Sequence, residues 1–264
     1  MLPPLDQLSA LVRQAAQEEL LPRFHRVARS VKADGSILTE ADLAIDRRLK
    51  SELAEHWPAV EFLSEEMDSA EQHNLAHDHS RPLWCVDPLD GTSNFAAGLP
   101  FYSVSLALLV DGRPQLGVVY DPSRDECFAA ERGQGAWLNQ HRLGPKPAGI
   151  PLRRALALVD FKRLSQDLAQ RLVREPPYGS QRNFGSSALE WAWIAAGRGH
   201  VYLHGGQKLW DYAAGALIFL ESGGHACCIE SDDFSDGDIW QRSVIAARDE
   251  KLFREWKSWI RAQL

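Results

Sequence analysis

The chain has 264 residues, with 29 basic and 36 acidic side chains and a formal charge of −7. That length can bury a sizeable core, in one large α/β domain or in two closely packed subdomains. The acidic balance and the lack of a basic stripe with interleaved aromatics argue against a nucleic-acid surface, and no apolar run reaches membrane-spanning length.

The opening Met1-Leu2-Pro3-Pro4 lacks the basic-then-apolar pattern of a signal peptide. The four cysteines, Cys85, Cys127, Cys227 and Cys228, show no zinc spacing. They read as reduced thiols of a cytoplasmic protein. Residues 5 to 29 read as a helix, with Leu8, Leu11, Val12, Ala15 and Ala16 on one face. A polar glycine loop, Lys32-Ala33-Asp34-Gly35-Ser36, follows. Thr39-Glu40-Ala41-Asp42 caps a second helix that runs to about His56, and Pro58 stops it. Val60 to Leu63 is a short strand ending on Ser64-Glu65-Glu66. Met67 to Arg81 is polar and reads as an exposed connection; its His73, His77 and His79 lack the companions of a metal cluster.

Leu83 to Val86 is a buried strand that runs into Asp87-Pro88-Leu89-Asp90-Gly91-Thr92-Ser93-Asn94-Phe95. Pro88 rules out an interior helix pair and forces a sharp exit, so Asp87 and Asp90 can converge at the strand end. Two unpaired carboxylates held together repel, and a divalent cation relieves that cost. Two aspartates and a turn carbonyl, for which Leu89 is the candidate, make a hard oxygen site suited to Mg²⁺ rather than zinc. Gly91 lets the backbone approach a ligand, and the amides beyond it can open a helix whose N-terminus attracts phosphate. A bare turn of this type is often inert, so the rest of the chain decides.

Phe101 to Val110, Gln115 to Tyr120 and Glu126 to Glu131 form a largely antiparallel meander, packed by the two N-terminal helices. From about Pro151 strands and helices alternate: a strand Ala155–Val159, a helix Leu164–Val173, a helix Ala188–Ala196 after Asn183-Phe184-Gly185-Ser186-Ser187, and a strand His200–Leu203. Trp210-Asp211-Tyr212-Ala213-Ala214-Gly215 opens a helix that ends at Ser222-Gly223-Gly224. Two strands, His225–Ile229 and Ser243–Ala246, and a closing helix Glu250–Gln263 complete the chain. Asp211 in a first helical turn is commonly just a dipole partner. Here Ala213, Ala214 and Gly215 leave its helix almost bare, which permits close packing of that carboxylate against another element. The division expected is 1–150, two helices on an antiparallel sheet with most metal ligands, and 151–264, an α/β unit supplying Asp211.

Ser64-Glu65-Glu66, the Asp87–Phe95 run, and Trp210–Gly215 with Gly223-Gly224 together closely resemble the inositol monophosphatase family of Mg²⁺-dependent, lithium-sensitive phosphatases. The resemblance spans the Lys32 loop to Gly224, with three motifs in the right order. It implies a layered α-β-α-β-α sandwich, a homodimer and a small phosphorylated metabolite as substrate. It also implies roles. Glu65, Asp87 and the Leu89 carbonyl resemble ligands of a first metal, and Asp87, Asp90 and Asp211 those of a second. Glu66 resembles a ligand acting through water. Thr92, aided by Asp42, resembles the pair that activates the attacking water. Gly91 and Thr92 amides are expected on phosphate oxygens, and Ser187 at the substrate. Such metal sites lower the pKa of a bound water and neutralise phosphate charge, so no side-chain nucleophile is needed, and none is evident.

One departure stands out. The family often has a substrate-contacting glutamate seven residues before the Asp211 position, where this chain has His204. Histidine can donate hydrogen bonds. His204 with nearby Lys208 is therefore expected to favour a substrate with an added anionic or acceptor group. Alternatives that keep the chemistry are an adenosine bisphosphate, histidinol phosphate or a sugar phosphate. A metal-binding regulatory module without turnover is a different class, which the water-activating pair argues against.

Overall fold

The computed structural model describes residues 2–24, 29–31, 37–145, 147 and 149–264. The Lys32–Ser36 loop lies outside the described residues. Helix α1 (Leu5–Glu19) buries Leu8, Leu11, Val12, Ala15 and Ala16, the face that the periodicity predicts. It stops ten residues short of the expected end, and a 3-10 turn at Leu21–Arg23 follows. Pro22 is the reason, since it has no amide to donate and disfavours helix in the residue before it. Strands β1 (Arg29–Val31) and β2 (Ile37–Thr39) form a small antiparallel ribbon leading into α2 (Glu40–His56).

Strand β3 (Glu61–Ser64) is followed by α3 (Ser69–His77), where the polar composition predicts an open connection. Its start is capped by the Asp68 side chain, which accepts from the amides of Ala70 and Glu71. Only Gln72 and Ala76 are buried on it, so no apolar stripe announces it. Strand β4 (Leu83–Asp90) carries the acidic turn, and α4 (Thr92–Ala97) follows. Strands β5 (Ser103–Val110), β6 (Arg113–Asp121), β7 (Glu126–Glu131), β8 (Gly135–Leu138) and β9 (His141–Leu143) complete a seven-stranded sheet in sequence order. It is antiparallel except for the β3–β4 pair.

The second sheet holds β10 (Leu156–Asp160), β11 (Ser180–Arg182), β12 (Val201–Lys208), β13 (His225–Cys227) and β14 (Gln241–Ala247), ordered β11-β10-β12-β14-β13. Its first three strands are parallel, joined by α5 (Gln166–Arg174) and α6 (Ser187–Ala195). Helix α7 (Leu209–Glu221) follows β12 directly, and α8 (Glu250–Arg261) closes the chain.

Strand residues alternate between faces, and that alternation sorts the core into three slabs. Trp84, Val86, Leu106 and Leu108 pack under α1 and α2. Leu83, Cys85, Ala107 and Leu109, on the opposite face, pack on α6 and α7 together with Leu158, Tyr202, Val244 and Ala246 of the second sheet. Ala157, Val159, Leu203 and Ile245 face α5 and α8. The result is five layers, α-β-α-β-α, with α6 and α7 shared by both sheets. No helix among the described residues is long and apolar enough to cross a membrane.

The middle layer fits because it is bare. A Cβ on Gly117 of β6 would lie 2.9 Å from the Ala214 carbonyl oxygen of α7. A Cβ on Gly215 would lie 2.6 Å from the Trp191 Cβ of α6. In an open helix, Gly215→Ala would gain about 0.5–1 kcal/mol. Here overpacking should prevail, and the substitution should lower stability by about 1–3 kcal/mol, read from the urea midpoint. A raised midpoint would show that α6 and α7 separate easily.

Candidate active site

The acidic turn lies at the end of β4, buried on both faces. Pairing with β5 is regular through Asp87↔Ser105, breaks, and resumes at Asp90↔Ser103. That irregularity, at Pro88, turns the side chains of Asp87 and Asp90 to the same place. Asp211 reaches them from the first turn of α7, where its Oδ2 accepts from the Lys208 amide at 2.8 Å. Ser105 sets the docking, since its hydroxyl donates to the Trp210 carbonyl at 3.0 Å. One oxygen from each of Asp87, Asp90 and Asp211 falls within 4.8 Å of the others. This is the only such group of three or more possible ligands among the described residues; His73, His77 and His79 do not form one. His73 and His77 stack on each other instead, and His77 pairs with Asp238 at 2.9 Å.

Glu65 joins the acids from β3. Its amide donates to the Val86 carbonyl at 3.1 Å, and Gln72 of α3 donates to the carbonyls of Ser64 and Glu65 at 2.8 and 2.9 Å. Ser64 donates to Asp46 of α2 at 2.5 Å and accepts from the Glu66 amide at 3.2 Å, so α2 and α3 together fix the Glu65-Glu66 corner.

The electrostatics follow from this crowding. Burial, then the charges of Glu65, Asp90 and Asp211, push the Asp87 carboxyl well above its ordinary range. Burial, Asp90 and Glu65 raise Asp211 to about 8, against the Lys208 amide and the Arg163 charge. Burial raises Asp90 to about 6, opposed by its hydrogen bonds. Those bonds come from Ser186 Oγ at 2.6 Å, the Ala188 amide at 2.8 Å and the Ser187 amide at 3.1 Å. The three aspartates are thus held by amides and hydroxyls, and a divalent cation would supply the missing positive charge. Their hard oxygens fit Mg²⁺.

Beside them Thr92 Oγ1 lies 2.9 Å from both Asp42 Oδ1 and the Leu89 carbonyl oxygen. Asp42 itself caps α2, accepting from the Thr39 amide at 2.8 Å and the Thr39 hydroxyl at 2.5 Å. Burial raises its pKa against these bonds from Thr39 and Thr92. The Leu89 amide donates to Asp87 Oδ1 at 3.1 Å. Gly91 sits at φ +94°, and a Cβ there would meet the Phe101 carbonyl oxygen at 3.1 Å and Ser186 Cβ at 3.2 Å. Only glycine suits both the backbone angle and the space.

Ser187 stands at this site through its amide on Asp90. His204 lies deeper, with Asp160 Oδ2 3.4 Å from its Nε2. Three residues without an assigned role also shape the site. Ser186 supplies the shortest bond to Asp90. Asn94 of α4 donates to the carbonyls of Phe101 and Phe184 at 2.8 and 2.6 Å. Buried Glu190 accepts from the Phe184 amide at 2.6 Å, and burial raises its pKa to about 8. The only sequence signal was adjacency: Ser186 neighbours Ser187, and Asn94 stands inside the acidic motif.

The raised carboxyls have a consequence for stability. Without divalent cations the folded state holds protons on Asp90 and Asp211 that the unfolded chain releases near 3.8. Their contribution is therefore present at low pH and lost as pH rises toward about 8. The thermal midpoint of metal-free protein should fall as pH rises from about 4 to about 8. Saturating Mg²⁺ should flatten that fall, and so should Asp211→Asn. An Asp211→Asn profile as steep as wild type would separate Asp211 from the effect.

The sequence profile of the inositol monophosphatase family matches residues 4–261. The Nus factor SuhB of Pasteurella multocida is 35% identical over 224 residues, covering 83% of this chain and 80% of that protein. The inositol-1-monophosphatase of Mesorhizobium japonicum is 33% identical over 231 residues, covering 85% and 83%. Among solved structures, a Thermotoga maritima IMPase superposes with a TM-score of 0.83 at 27% identity, covering 98% of this chain and 96% of that one.

Proposed function

The chain belongs to the inositol monophosphatase family, and we propose that it is a Mg²⁺-dependent phosphomonoesterase acting on a small phosphorylated metabolite. The observation that carries this reading is the convergence of Asp87, Asp90 and Asp211 beside the Thr92–Asp42 pair. In the proposal Asp87, Asp90, Asp211, Glu65 and the Leu89 carbonyl hold the metal. When bound, it supplies a water of lowered pKa and neutralises phosphate charge.

The chain's own residues do the rest. Asp42 accepts the Thr92 hydroxyl proton in a hydrogen bond, which leaves the Thr92 oxygen free to accept from a water and aim it. In the proposal the Gly91 and Thr92 amides take phosphate oxygens at the start of α4. Ser186 and the Ser187 and Ala188 amides hold Asp90 still while the phosphate charge changes, which is preorganisation of the kind that lowers a barrier. The proposal includes a homodimer, which sedimentation would check.

A second reading comes from the SuhB relatives, which are named Nus factors. The Thr92–Asp42 pair favours turnover, since a pure binding module has no use for a group that aims water. Phosphate release from D-myo-inositol 1-phosphate decides between them. It should require Mg²⁺, vanish with a chelator, and return with Mg²⁺ but not with zinc alone. Li⁺ in the millimolar range should inhibit it. Asp90→Asn should nearly abolish turnover. Thr92→Ala should lower kcat on the order of 10²-fold with a smaller change in KM, because aiming the water matters mostly in the transition state. Full activity after exhaustive chelation would sink the metal-dependent reading, and unchanged kcat in Thr92→Ala would remove Thr92 from it.

A further inference from the structure

Asp160 is the last residue of β10, and β12 places His204 directly beside it. His204 is 3% exposed. Its Nδ1 accepts from the Gly206 amide at 3.1 Å, so the ring proton sits on Nε2, which lies 3.4 Å from Asp160 Oδ2. The other carboxylate oxygen, Oδ1, accepts from the Lys162 amide at 3.0 Å. The Asp160 side chain is thus anchored at both oxygens yet remains 19% accessible. Burial alone would raise its pKa, but the His204 and Lys162 hydrogen bonds and the Arg163 charge hold it below the ordinary value. An ionised carboxylate is acceptor-only.

Its position points to the acidic site. Strands β10, β11 and β12 are parallel, and ligands of such sheets bind outside the carboxyl ends of the strands. Asp160 stands at such an end. The chain leaving His204 runs through Lys208 straight into the first turn of α7, which holds Asp211. The Arg163 charge acts on both Asp160 and Asp211, and the Asp160 charge acts on Glu190 beneath the turn that holds Asp90. The backbone here leaves little slack. A Cβ on Gly205 would fall 1.9 Å from the Arg163 carbonyl oxygen, so the segment carrying Arg163 lies directly on β12.

We propose that Asp160, braced by the buried His204, accepts hydrogen bonds from hydroxyls on the non-phosphate part of the substrate. His204 then acts on specificity through Asp160 and touches no substrate itself. The edge it forms is a fixed carboxylate, which repels a second anionic group and rewards neighbouring hydroxyls. This reverses the expectation drawn from His204 and Lys208 in the sequence, because the partner across the strand pair changes the sign of the charge presented. The proposal rests on the phosphatase reading only for its assay.

The test compares D-myo-inositol 1-phosphate with cyclohexyl phosphate, the same ring without its hydroxyls. In wild type the first should have the higher kcat/KM. Asp160→Ala should lower that ratio on the order of 10- to 100-fold, the range for a hydrogen bond to a charged group. His204→Leu should lower it in the same direction by less, since Asp160 stays but loses its brace. Asp160→Asn keeps the shape and one acceptor oxygen. It carries the test should the alanine variant not fold, with a ratio between those of wild type and Asp160→Ala. An unchanged ratio in the Asp160 variants overturns the proposal. So does a larger loss in His204→Leu than in Asp160→Ala, which would put His204 itself on the hydroxyls. Should Mg²⁺ support turnover of neither ester, the phosphatase reading fails by itself. Calorimetric binding of the same two esters to the same variants then decides on Asp160, by the same ratio.

Discussion

Four carboxylates that repel one another are the constraint on which the rest of this structure depends. Glu65, Asp87, Asp90 and Asp211 come from three separate stretches of chain, and burial raises the free energy of the three aspartate charges. The fold answers with directed dipoles. Lys208 and Ala188 lend amides, Ser186 lends a hydroxyl, and Ser105 fixes the helix that brings Asp211 in.

That arrangement also explains why the site sits at a seam. Asp42 belongs to the outermost helical layer, Asp87 and Asp90 to the seven-stranded sheet, and Ser186 and Asp211 to the shared helical layer. Asp160 and His204 belong to the five-stranded sheet. Chemistry and recognition therefore come from different layers. The acids proposed to hold the metal sit on the first sheet and the shared helices. The carboxylate proposed to read hydroxyls sits on the second sheet.

How much of this was legible in the sequence depends on how local each signal was. The Asp87–Thr92 run is contiguous, and Pro88 and Gly91 dictate its backbone almost alone. The face of α1 is plain from its spacing, but its end is not, because apolar residues recur past Pro22 at Phe24 and Val27. Helix α3 escaped because its stability comes from an Asp68 cap and two small contacts instead of an apolar stripe. Strands β8 and β9 are too short to stand out. Among site residues, Asp211 was visible through the small residues beside it. Asp160, Ser186 and Glu190 were hidden, since each is defined by a partner dozens of residues away or by burial alone. His204 shows the limit most clearly: its residue type was read correctly, but its effect depends on Asp160, which only strand pairing brings to it.

The shared layer has a bearing on how the chain is made. One face of the seven-stranded sheet, with Leu83, Cys85, Ala107, Leu109 and Phe128, is covered chiefly by residues of α6 and α7. A ribosome working at roughly 5–20 residues per second finishes β9 several seconds before α7 emerges. During that interval a broad apolar surface lacks its cover. The short, polar β9 at one edge of the sheet then serves as a guard against premature strand addition. Slow synthesis between residues 143 and 221 would prolong that exposure.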